Sequence, residues 1–152
     1  MLFWLADLSA RRLLNRVHHT LYSVPLRNIG NIERGAVTSI HRAIGSYTKV
    51  SDELRRQLET WYDYLPLPIR PDLQDRISTV DETILILRYH ASGDIISRPF
   101  ILHVCALSEG ISPPDFVLEN CKICIYHCRG YLEVFDRRIV LPSASTEIVL
   151  HS

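Results

Sequence analysis

Leu54-Arg55-Arg56-Gln57-Leu58-Glu59-Thr60-Trp61-Tyr62-Asp63-Tyr64-Leu65-Pro66 and Ile84-Leu85-Ile86-Leu87-Arg88-Tyr89-His90, the second leading to Ile96-Ser97-Arg98-Pro99-Phe100, decide the fold of this chain. In the first stretch Leu54, Leu58, Trp61 and Leu65 recur at i, i+4, i+7 and i+11, which is one face of an α-helix. Arg55, Arg56, Glu59 and Asp63 supply the charged face. Ser51-Asp52-Glu53 predicts the helix start: Ser51 can cap exposed amides, and the acids suit the positive end of the dipole. Pro66, Pro68 and Pro71 predict its end, because each removes a backbone donor and restricts the preceding residue. Asp81 and Glu82 predict the start of the second helix in the same way. Ile84 to Leu87 is apolar on all sides, so this helix is expected to be central. Gly93 weakens it, and Pro99 is expected to close or kink it before Phe100, Ile101, Val104 and Leu107 continue an apolar face.

Outward from these stretches, residues 2–23 read as a first helix on Leu5, Leu8, Leu13, Leu14, Val17 and Leu21, with Arg11, Arg12, Arg16 and His19 on other faces. Its apolar pattern begins at Met1 with no cap before it, so the expectation is a chain cut from something longer or a gene model that begins too late. Residues 24–50 are weakly patterned and broken by Pro25, Gly30, Gly35 and Gly45. Val37, Ile40, His41 and Ile44 could form one short helix there. Ser112-Pro113-Pro114 predicts a further start, with Pro114 in the first turn. That helix is expected to run to about Arg138 on Val117, Cys121, Cys124, Cys128, Tyr131 and Phe135. From Ile139 the sequence reads as short extended pieces or disorder. The expected architecture is all-α, an irregular multi-helix array over residues 1–138 followed by an atypical tail, 139–152.

The totals fit this reading. A chain of 152 residues makes one domain or part of one, and 47% hydrophobic with 22% charged residues suits a packed globule. Seventeen Lys and Arg balance seventeen Asp and Glu. Nucleic-acid binding usually shows as a basic excess, so direct DNA contact is disfavoured. Leu2-Phe3-Trp4-Leu5 does not make a secretory signal: Asp7 interrupts it, and Arg11 and Arg12 follow rather than precede it. No apolar run approaches the ~18–20 residues that span a bilayer, and four cysteines do not make a secreted disulfide scaffold. The expectation is a soluble intracellular chain.

Cys121, Cys124, His127 and Cys128 form the one cluster with metal-ligand chemistry, since thiolates and imidazole are zinc's preferred ligands. Structural zinc sites usually take ligand pairs from separated segments, whereas these four lie within one predicted helix. Core packing on the stripe from Val117 to Phe135 is the stronger reading. A redox role needs a helix N-terminus to lower the thiol pKa, and Cys121 lies two turns inside. His18 and His19 point to different faces, and His41, His90, His103 and His151 are scattered. Arg98, inside an apolar stretch, is expected to pair with a carboxylate or cap carbonyls freed by Pro99. No phosphate loop, His-Glu-x-x-His or Gly-x-Ser-x-Gly occurs. No catalytic, cofactor-binding or metal-binding residue is assigned, and no enzyme activity is expected.

The order of four phrases carries a family likeness. Leu13-Leu14-Asn15-Arg16-Val17-His18-His19-Thr20-Leu21-Tyr22, then Leu54 to Pro66, then Leu87-Arg88-Tyr89-His90, then Ile96 to Phe100 resembles the fungal-specific transcription factor domain. This is the middle homology region of the zinc binuclear-cluster regulators, and the likeness covers about residues 2–131. It implies an incomplete part of a larger helical regulatory domain of a nuclear RNA polymerase II transcription factor. Such a segment would act through other parts of its parent, co-regulators or a small-molecule effector. In that family DNA contact belongs to a six-cysteine zinc cluster, and four cysteines cannot make one. Zinc is therefore implied only for the parent, and apolar faces meant for further helices are expected to lie exposed. The alternatives are a free-standing helical binding module and, more remotely, a small zinc protein using the cysteine cluster.

Overall fold

A computed structural model describes residues 1–22, 37–73 and 79–139. They form four α-helices: α1 (Leu2–Tyr22), α2 (Val37–Asp63), α3 (Val80–Cys105) and α4 (Asp115–Ile139). No strand occurs among the described residues, so the all-α expectation holds. The predicted extended pieces after Ile139, and the Pro25–Gly35 stretch, lie outside them.

The central element is α3, which packs against all three other helices and most extensively against α4. Its start is fixed by a reciprocal cap. Thr79 Oγ1 accepts from the Glu82 amide at 3.1 Å, and the Glu82 carboxylate accepts from the Thr79 amide at 3.0 Å. Asp81 and Glu82 occupy the first turn, as expected. Pro99 does not close the helix: α3 continues to Cys105, and the Ala106 amide donates to Leu102 and His103 carbonyls at 3.1 Å. An interior proline costs about 3 kcal/mol. Burial on its far side offsets that, since Phe100 is fully enclosed with Ile44 and Val117.

Ser51 is likewise not a helix start. It lies fully buried in the middle of α2, which reaches back to Val37 as one continuous helix. Tyr47 explains the extension: its hydroxyl donates to the Ile96 carbonyl at 2.8 Å and its ring meets Phe100 edge-on. Tertiary packing thereby overrides the local preference of Gly45 and Ser51 for ending or capping a helix. The other end follows expectation. α2 stops at Asp63, Leu65 is buried just beyond, and Arg70 donates from Nε to the Leu65 carbonyl at 3.1 Å.

On α1 the buried stripe is Ala6, Ala10, Leu13, Val17 and Leu21. Leu5 and Leu8, part of the apolar spacing that predicts this helix, face outward. The two alanines take the inner face and let α1 approach its neighbours closely. Leu13, Val17 and Leu21 join Leu54, Leu58 and Ile96 in one core cluster, with Trp61 and Tyr89 packed against it. Buried Asp7 ties α1 to α3, accepting from Arg11 Nε at 2.8 Å and Arg88 Nε at 3.1 Å.

Candidate functional site

Polar groups converge on the seam between α3 and α4. Gly93 on α3 and Gly130 on α4 let the helices meet closely, and each is covered by a histidine of the opposite helix. A Cβ on Gly93 would stand 2.3 Å from the His127 ring; one on Gly130 would stand 2.3 Å from the His90 ring. Both histidines are buried, and their Nδ1 atoms lie 3.3 Å apart. One ring must therefore donate and the other accept, which requires both to be neutral or one alone to be charged. Burial pushes both imidazoles below their ordinary range. His127 falls to about 4, helped by the neighbouring His90 and by Arg55, while Asp94 opposes the fall. For His90 the Glu133 carboxylate opposes it. Tyr89 and Tyr126 flank the pair.

One turn further along the seam, Asp94 of α3 meets two thiols of α4. Its Oδ1 accepts from Cys128 Sγ at 3.2 Å and from Cys124 Sγ at 3.3 Å. Its Oδ2 accepts from Arg98, one turn away on the same helix. This is the carboxylate partner expected for Arg98. Burial raises the Asp94 pKa, but Arg98 and the two thiols outweigh it and the net direction is down. Burial first, and then the Asp94 hydrogen bond, push both thiols up, so they are protonated at neutral pH.

The four residues of the cysteine cluster therefore separate. Cys124 and Cys128 reach Asp94, His127 turns to His90, and Cys121 packs against the Ile44, Phe100 and Val117 cluster. Asp94 was not a candidate from sequence. The only available signal was an acid one helical turn before Arg98. His90 and His127 are 37 residues apart in sequence, and nothing local pairs them.

A second feature is apolar and faces outward. On α1, Trp4 is 70% exposed and Leu5 is 60% exposed, with Leu2 and Leu8 beside them. Leu2, Leu5 and Leu13 from α1, and Trp61, Leu65 and Pro66 from α2 and its end, line a groove of about 650 Å³. Arg12, Arg16 and Arg56 also line it. Trp61 Nε1 donates to Ser9 Oγ at 2.9 Å across this seam, and Arg16 donates to Gln57 at 3.0 Å. Exposed contiguous apolar surface of this kind marks interaction sites.

No protein-family model, curated protein or solved structure matches this chain. The class that fold and surfaces define is an all-α array, with four helices among the described residues and an exposed apolar flank. Among the described residues no helix is long and apolar enough to cross a membrane.

Proposed function

We propose that this chain is an interaction segment of a transcription regulator, a partial counterpart of the helical regulatory region that its ordered sequence phrases resemble. It works in the nucleus by contacting other segments of its parent, a co-regulator or a small effector, and does not touch DNA itself. The observation that supports it best is the exposed apolar surface of α1 together with the arginine-lined groove against α2. That chemistry suits an amphipathic helix with acidic flanks, whose apolar residues would fill the groove and whose carboxylates would meet the guanidinium groups. The balanced charge of the chain speaks against phosphate-backbone binding.

Tethering tests this reading. The chain, fused between a heterologous DNA-binding domain and an activation domain, should change reporter output several-fold. Leu5→Asp with Leu8→Asp should remove the effect while leaving helical circular dichroism intact, because both residues lie outside the core. A wild-type chain without effect on the reporter defeats the transcriptional assignment. If that same chain still binds an acidic amphipathic helix through the α1 surface, the free-standing binding module replaces it.

A further inference from the structure

The ligand atoms of Asp94, Cys124 and Cys128 all lie within 4.8 Å of one another. Tetrahedral zinc with Zn–S of about 2.3 Å and Zn–O of about 2.0 Å has sulfur–oxygen edges of about 3.5 Å and a sulfur–sulfur edge of about 3.8 Å. The two observed oxygen–sulfur separations, 3.3 and 3.2 Å, are already close to such edges. We propose that Asp94, Cys124 and Cys128 form a zinc site that clamps α3 to α4, with water in the fourth position.

Three features of the seam support this beyond the distances. The carboxylate is divided between two tasks: Oδ2 is held by Arg98, which leaves Oδ1 aimed at the sulfurs. Metal-binding carboxylates are commonly oriented by such an outer partner. Charge also closes. Two thiolates and one carboxylate bring three negative charges, zinc brings two positive, and Arg98 supplies the remaining one. Proton balance is simple as well: each thiol releases its proton to solvent as its sulfur takes the metal, and Asp94 Oδ1, the present acceptor of both, becomes the third ligand. Paired thiolates select zinc over magnesium or calcium. Asp94 and Cys128 are only part-buried, so the metal has a path in, while Cys124 closes the inner side.

The competing account is that the thiols simply fill the seam. It does not explain why both converge on one oxygen of a carboxylate, a group costly to desolvate where an apolar side chain would pack. The proposed ligand set also differs from the contiguous run in the sequence, because Cys121 and His127 are engaged elsewhere.

Cobalt tests the site, since Co²⁺ bound tetrahedrally by thiolate gives a charge-transfer band that Zn²⁺ then bleaches. The full chain, reduced and purified without added metal, should bind one Co²⁺ and yield one Zn²⁺ by elemental analysis after zinc loading. Cys128→Ser and Asp94→Asn, both at the part-buried edge, should lose stoichiometric binding while circular dichroism shows them folded. Cys121→Ser should leave the band unchanged. Arg98→Gln should keep the band's shape but weaken zinc affinity roughly 10–100-fold. A folded wild-type chain that shows no band with excess Co²⁺ overturns the proposal. So does a band that survives Cys128→Ser or Asp94→Asn, or one lost in Cys121→Ser. These readouts involve neither the α1 groove nor transcription, so they stand or fall apart from the proposed function.

Discussion

The seam between α3 and α4 and the seam between α1 and α2 are built on opposite plans. At α3–α4 two glycines remove side-chain bulk, two histidines fill the space across them, and an acid meets two thiols in the same interface. At α1–α2 the helices meet far less, and bridging polar contacts such as Trp61 to Ser9 and Arg16 to Gln57 lie at an open, apolar-lined groove. Close interdigitation makes the first seam intolerant of added volume and of charge. The second has room, which is what a surface that receives a partner needs. One seam is filled and closed, while the other covers a packed core but leaves an open groove at its surface, the groove on which the proposed function rests.

The largest expected effect comes from emptying the core beneath the open seam. Leu58 is 1% exposed and packs with Leu13, Val17 and Leu21 of α1 and Ile96 of α3. Leu58→Ala should cost about 2–5 kcal/mol of unfolding free energy, measured by urea denaturation. A cost below about 1 kcal/mol would mean that α1 is only loosely docked, and would erase the contrast between its inner and outer faces.

Acid should break the other seam. His127 is held down to about 4 in the folded chain, against an ordinary value of 6.5, and His90 is shifted in the same direction. Well above pH 6.5 both rings are neutral in either state and contribute no pH dependence. As pH falls below 6.5 the unfolded chain takes up protons that the folded chain refuses, so stability drops until the folded pKa near 4 is reached. The slope is at most about 1.4 kcal/mol per pH unit for each histidine. Asp94, whose pKa is depressed, loses its contribution only below the ordinary carboxylate range, so the two windows separate. Urea melts of chelator-treated protein between pH 7 and 4 should show this loss, and His127→Asn should flatten it. An equal slope in that variant would remove the histidine pair as the cause.

Legibility from sequence followed the range of the contacts involved. Helix existence was readable, because apolar spacing at Leu54, Leu58 and Leu65 is a local signal that burial then satisfies. Two boundaries were not. Ser51 carries a capping signature yet sits mid-helix because Tyr47 reaches Ile96, 49 residues away, and Pro99 carries a stop signature yet is bracketed by buried Ile96 and Phe100. On α1, leucine outweighs alanine in any hydrophobic count, so Ala6 and Ala10 were read past although close packing places them inside. The seam chemistry was half legible. Cys124 and Cys128 announce themselves by spacing, while Asp94, His90 and the two glycines acquire meaning only once α3 and α4 are set side by side.

The glycines give a smaller and more discriminating test, because one sequence signal has two structural meanings. Gly93 and Gly45 both look like helix-weakening residues. Alanine at Gly93 would meet the His127 ring at 2.3 Å, and this ring is itself buried against His90, so the seam must open or the histidine must leave. Gly93→Ala should therefore destabilise by about 1–3 kcal/mol despite alanine's better helix propensity. A Cβ on Gly45 meets nothing within 4 Å. Gly45→Ala gains the propensity alone and should stabilise the chain by about 0.5–1 kcal/mol. Thermal melts of the two variants beside wild type read the sign directly. Were Gly93→Ala also to stabilise, α3 and α4 would have slack between them, and the closely packed seam would be no tighter than the open one.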